Sequence, residues 1–114
     1  MWWFVLKSEY LIITSISSKA GSASFFDNNT KAVVSIIDVA QNSSSLYFYY
    51  LSNGKWKKPI KLFDDKGQYA FSYIDEKSQS LYFSADIQGG YGGYDVYVSS
   101  FNGDNFSKPI NLGN

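Results

Sequence analysis

The side chains able to do chemistry in this 114-residue chain are carboxylates, lysines and aromatics, because it holds no His, Cys or Arg. Two adjacent acidic pairs occur, Asp64-Asp65 and Asp75-Glu76. Carboxylates about 5–10 Å apart can cleave glycosides, one as acid and the other as base or nucleophile. Both pairs fall in stretches that read as turns, where Asp recurs because its side chain bonds nearby backbone N–H groups. Turn formation is their expected role, and no catalytic residue is assigned. The absent types exclude a Ser-His-Asp or Cys-His nucleophile, a Cys/His metal site and bidentate guanidinium recognition of phosphate. Cysteine absence leaves the redox compartment open.

Asp86 and Asp95 flank a glycine-rich string, Gly89-Gly90-Tyr91-Gly92-Gly93-Tyr94. Two carboxylates there could hold a hard cation such as Ca²⁺ through oxygen, although capping of turn N–H groups is the favoured role. Tyr91 and Tyr94 could stack on a sugar or a peptide. The competing reading has the glycines shaping an irregular turn while Tyr94 packs between sheets. It is favoured because the string belongs to a repeat. Lys55-Trp56-Lys57-Lys58 could touch an anionic glycan or lipid surface, but Trp56 is expected in the core, since Phe106 occupies the same repeat position. Tyr91, Tyr94 and Trp56 are therefore the ligand-binding candidates and Asp86 and Asp95 the metal candidates. No cofactor is implied.

The elements that must position these groups are strands. Aromatics make up 19% of the chain, and Tyr and Phe fit a pleated, half-buried surface. No stretch carries helical periodicity. Short β-branched and aromatic runs alternate with Gly, Asn, Asp and Ser clusters. Strands are expected near residues 2–6, 11–15, 22–26, 32–38, 46–51, 58–61, 69–74, 80–85, 95–101 and 108–112. Formal net charge is zero, without a basic stripe, so nucleic acid is not an expected partner. The apolar start, Met1 to Ile13, is broken by Lys7 and Glu9. Neither uninterrupted run approaches the roughly 20 residues of a membrane span, so no signal peptide and no transmembrane segment are expected.

The second half of the chain repeats itself. Asn53-Gly54, Trp56 and Lys58-Pro59-Ile60-Lys61-Leu62 return as Asn102-Gly103, Phe106 and Lys108-Pro109-Ile110-Asn111-Leu112, with the only two prolines 50 residues apart. Upstream, Asp27 aligns with Asp75 and Asp38 with Asp86, each 48 residues apart. Such a period in short β segments points to propeller blades. Each unit then has four strands, with proline on the outer one, where no ladder N–H is needed.

Leu81-Tyr82-Phe83-Ser84-Ala85-Asp86, the glycine-rich string leading into Asp95-Val96-Tyr97-Val98, and Phe106-Ser107-Lys108-Pro109-Ile110-Asn111-Leu112-Gly113 together resemble the WD-like (TolB-type) β-propeller repeat. The version in question is found in Gram-negative outer-membrane-associated proteins that often also carry an OmpA-like domain. The resemblance is strong over 69–114 and weaker over 22–63, where Gln41-Asn42-Ser43-Ser44-Ser45 replaces the glycine-rich loop. Residues 1–18 suggest the end of a preceding blade. The resemblance implies an all-β partial β-propeller, with two four-stranded antiparallel blades plus extra N-terminal strands. It implies a non-enzymatic interaction or scaffold module of the periplasm or outer membrane. Its partner would be another protein or the remaining blades of a parent propeller, with cell-wall glycan as a further candidate. The peptidoglycan binding of the OmpA-like domain is not carried over. The alternatives are the propeller portion of a secreted hydrolase, either a glycosidase or a peptidase, and a carbohydrate-binding module.

Overall fold

The computed structural model describes residues 2–7, 10–15, 18–64, 66–87 and 93–113; up to residue 20 it describes backbone pairing alone. Eleven strands occur among the described residues: β1 (Trp2–Lys7), β2 (Tyr10–Ser15), β3 (Ser18–Phe26), β4 (Lys31–Asp38), β5 (Ser43–Ser52), β6 (Lys55–Trp56), β7 (Ile60–Lys61), β8 (Gly67–Asp75), β9 (Ser80–Ile87), β10 (Asp95–Ser100) and β11 (Ile110–Asn111). The fold is all-β and forms two antiparallel sheets. No closed barrel or propeller ring is formed among the described residues. No helix there is long and apolar enough to cross a membrane.

The second sheet has the expected four strands, in the order β11-β10-β9-β8. The first has seven, which are the four strands β3, β4, β5 and β7 of one unit, the extra N-terminal strands β1 and β2, and the two-residue β6. The β1–β2 hairpin joins it through the single described pair Thr14↔Lys19. The short strands β6 and β7 both pair with β5. Turn chemistry sets the hairpins. Asn53 and Gly54 both take positive φ, 53° and 76°, the geometry of a two-residue loop that matches strand twist. Asp27, Asn28 and Asn29 do the same between β3 and β4.

The sequence repeat is a repeat of hydrogen bonds. Tyr47 and Phe48 pair with Lys61 and Ile60 just as Tyr97 and Val98 pair with Asn111 and Ile110. Leu62 N–H donates to the Leu46 carbonyl and Leu112 N–H to that of Val96; Lys57 donates to Tyr50 and Ser107 to Ser100. Pro59 and Pro109 thus precede equivalent outer strands. The first two strands of each unit correct the expected alignment. The turn bond from Thr30 to Asp27 recurs from Gln79 to Glu76, and the pair Ser24↔Val33 recurs as Tyr73↔Tyr82. Asp27 therefore matches Glu76, not Asp75, and Asp38 matches Ile87, not Asp86. The offset is 49 residues here and 50 in the last two strands. Even the β-bulge is repeated, between Ala20 and Ala23 in β3 and between Ala70 and Ser72 in β8. These bulged segments begin at Ser18 and Gly67, ahead of the expected Ser22 and Tyr69.

The two sheets are joined by unlike faces. One face of the first sheet contributes Phe26, Val33, Leu46 and Phe48 to the main core; the second sheet contributes Tyr69, Ile74, Leu81, Phe83, Ala85, Tyr97 and Phe101 from its opposite face. Phe101 meets Phe26 edge-on at 5.6 Å between ring centroids, a favoured aromatic geometry. Phe63, in the connection between the sheets, stacks on Phe83 at 5.2 Å. Polar contacts fix the relative position of the sheets. The Ser44 hydroxyl accepts the Tyr69 N–H at 2.6 Å and donates to the Tyr69 carbonyl at 2.8 Å. Ser24 Oγ accepts the Ile74 N–H at 3.3 Å. Because β8 ends its sheet, these hydroxyls satisfy peptide groups that a further strand would otherwise take. A smaller cluster, Ala32, Val34, Ile36 and Tyr49, lies on the other face of the first sheet.

Candidate functional site

Pleating and register bring four side chains into one row across the second sheet, Tyr73–Tyr82–Val98–Ile110. The matching row of the first sheet is Ser24–Val33–Phe48–Ile60. Val33 and Phe48 are buried against the second sheet, whereas Tyr73 is 62% exposed and Tyr82 37%. In the adjacent row Leu46 is 1% exposed and its counterpart Val96 is 46%. Phe71, at the bulge of β8, is 77% exposed. The surface that the first sheet seats on a neighbour is therefore present on the second sheet and uncovered. It is apolar and aromatic, and suits a packed protein surface better than a reaction.

Of the residues singled out by sequence, Tyr91 lies outside the described residues. Tyr94 is exposed and leads into β10 beside the open face. Trp56 belongs to the other sheet, where its ring meets Phe25 edge-on at 6.4 Å and packs on the smaller apolar cluster. Tyr94 and Trp56 are thus not brought together. The register also turns Asp86 and Asp95 apart. Asp95 pairs with Ala85 and is buried on the core side, while Asp86, the next residue, is exposed on the other face. Asp95 Oδ2 accepts a bond from Asn111 Nδ2 at 3.2 Å. No group of three or more His, Cys, Asp or Glu that could hold a metal ion is found among the described residues.

The acidic pair Asp75-Glu76 has structural partners. Asp75 accepts bonds from the Lys77 N–H and the Ser78 hydroxyl, at 3.2 and 2.9 Å. Glu76 Oε2 accepts the Asp27 N–H at 3.2 Å, linking the two sheets. Asp65 lies outside the described residues, and Asp64 is exposed. The titration of Tyr49 is strongly displaced. Burial, with Tyr47 beside it, pushes its phenol far above the ordinary range.

Sequence reasoning missed Tyr73, Tyr82 and Val96. The signal was available. Leu81-Tyr82-Phe83 and Val96-Tyr97-Val98 are unbroken apolar runs, the pattern of strands covered on both faces rather than one.

No family model matches the chain, and neither a curated protein nor a solved structure shows detectable similarity to it.

Proposed function

We propose that the chain is a two-blade portion of a β-propeller of WD-like (TolB-type) repeats. It works without catalysis as an interaction module of the bacterial envelope, in the periplasm or at the outer membrane. Its working surface is the open face around Tyr73, Tyr82 and Val96. The occupant of that face is another sheet of the same repeat, offering the surface that Leu81, Phe83, Ala85 and Tyr97 offer to the first sheet. The observation that carries this reading is the equivalence of the two rows, Ser24–Val33–Phe48–Ile60 covered and Tyr73–Tyr82–Val98–Ile110 uncovered. An apolar face of this kind favours association, because removing apolar area from water contributes about 25 cal/mol per Å². The recurring bonds at 49 and 50 residues support the blade reading, and the resemblance of 69–114 to the family supports the location.

Sedimentation of the purified chain at micromolar concentration tests the face. The wild-type chain is expected to associate, and the double variant Tyr82→Glu, Val96→Glu to sediment as a folded monomer. A wild-type chain that stays monomeric, with Tyr73 and Tyr82 open to aqueous nitration at full rate, would sink the proposal.

A further inference from the structure

One repeat position is filled differently in the two units, and the difference coincides with a cavity. In the second sheet the buried carboxylate of Asp95 meets the amide of Asn111. The ladders assign the counterparts. Asp95 pairs with Ala85 as Ser45 pairs with Ile36, and Asn111 pairs with Tyr97 as Lys61 pairs with Tyr47. The first sheet therefore has a hydroxymethyl where the second has a carboxylate, and an ammonium where the second has an amide. A cavity of about 440 Å³ opens at this place, lined among others by Asp38, Ser43, Ser45, Tyr47, Lys61 and Lys66.

We propose that this cavity binds a small sugar acid. The ligand's carboxylate takes the place held in the second sheet by that of Asp95, and faces the Lys61 ammonium. The chemistry of the wall suits that class. Two ammonium groups against one carboxylate give a net positive lining, which favours an anion. The Ser43 and Ser45 hydroxyls can each donate and accept, as a polyol requires. Asp38 accepts from ligand hydroxyls, and its Oδ1 is held by the Gln41 N–H at 3.1 Å. The half-buried Tyr47 ring provides an apolar wall for the C–H face of a sugar. The volume lies within the range of about 300–1,000 Å³ typical of small-molecule sites. Lys61 and Lys66 are exposed, so binding is weak and falls as salt is added. This ligand site lies on the first sheet, whereas the open face lies on the second.

Calorimetric or NMR titration of the full chain with D-glucuronate, and in parallel with D-glucose, tests the proposal. Glucuronate is expected to bind saturably with a Kd on the order of 1 mM, and glucose not to bind in that range. Lys61→Gln is expected to weaken glucuronate about tenfold, the loss of one charge-assisted contact at an exposed site. The double variant Ser45→Asp, Lys61→Asn installs the pair the second sheet already uses, and is expected to fold and to lose glucuronate binding. Equal binding of glucose, no glucuronate binding at about ten times the expected Kd, or unchanged affinity in Lys61→Gln would each overturn it.

Discussion

Replacing Ser44 by alanine is expected to loosen the two sheets from each other. The Ser44 hydroxyl serves both peptide groups of Tyr69, at 2.6 and 2.8 Å, and both residues are buried. Each buried group that loses a hydrogen-bond partner costs about 1–3 kcal/mol. Two groups served by one hydroxyl put the loss at about 2–4 kcal/mol, allowing for some relaxation of the sheets. A domain of this size holds only about 5–15 kcal/mol in total. Urea denaturation at low protein concentration should therefore show a large fall in midpoint with an unchanged slope, since the area exposed on unfolding is the same. Amide exchange over 67–75 should accelerate at Tyr69. Ser45→Ala, one residue along and turned to the other face, is the control and should stay within about 0.5 kcal/mol of wild type. If Ser44→Ala also stays within that margin, or loses stability without faster exchange at Tyr69, then apolar packing alone holds the sheets together and the reasoning fails.

Gly67→Ala should cost about 1–3 kcal/mol in thermal or urea denaturation, because the added methyl would overlap the backbone carbonyl of Asp86; a neutral substitution would mean that β8 and β9 are farther apart at that end. The Tyr49 phenol, ordinarily near pKa 10.0, is raised by burial and by Tyr47. The folded chain keeps this proton after the unfolded chain has released it, so its contribution is intact below about pH 10 and declines above it, by up to about 1.4 kcal/mol per pH unit. Tyr49→Phe should flatten that part of the stability curve, and parallel curves for wild type and variant from about pH 9 to about pH 11 would contradict the assignment.

The strands and their order were legible because their signals are local. Asn53-Gly54 specifies a tight hairpin, and the Pro59 and Pro109 strings mark equivalent outer strands. The alignment of Asp27 with Asp75 failed because matching residue types misled. The turn bonds fix Glu76 as the counterpart, and a one-residue difference in the connection before β10 changes the offset from 49 to 50. The bulges were invisible for a similar reason. At Gly21, the chain bends so that the Ser22 N–H reaches Ser35 Oγ at 2.7 Å, while Phe71 marks the second bulge without any glycine. The separation of Asp86 from Asp95 followed from pleat parity, which sequence proximity to one loop conceals. Ser44 read as loop filler because its value lies in a long-range contact with Tyr69, twenty-five residues on. The residues of the open face, Tyr73, Tyr82 and Val96, went unnamed because sequence shows that a strand is apolar on both sides without showing which side a neighbour covers.

The contact between the two sheets joins one kind of face to the other kind, and that has a consequence for symmetry. A joint of unlike surfaces has a direction, as a brick with stud and socket does. Any open assembly extended through it has two inequivalent ends, and a two-fold symmetric dimer arises from it only as a closed ring in which both joints form. Successive units are related by one fixed rotation and shift, so growth stops by itself only when the rotations close a circle. The angle between the two sheets of this one chain therefore encodes the number of members such a circle would have.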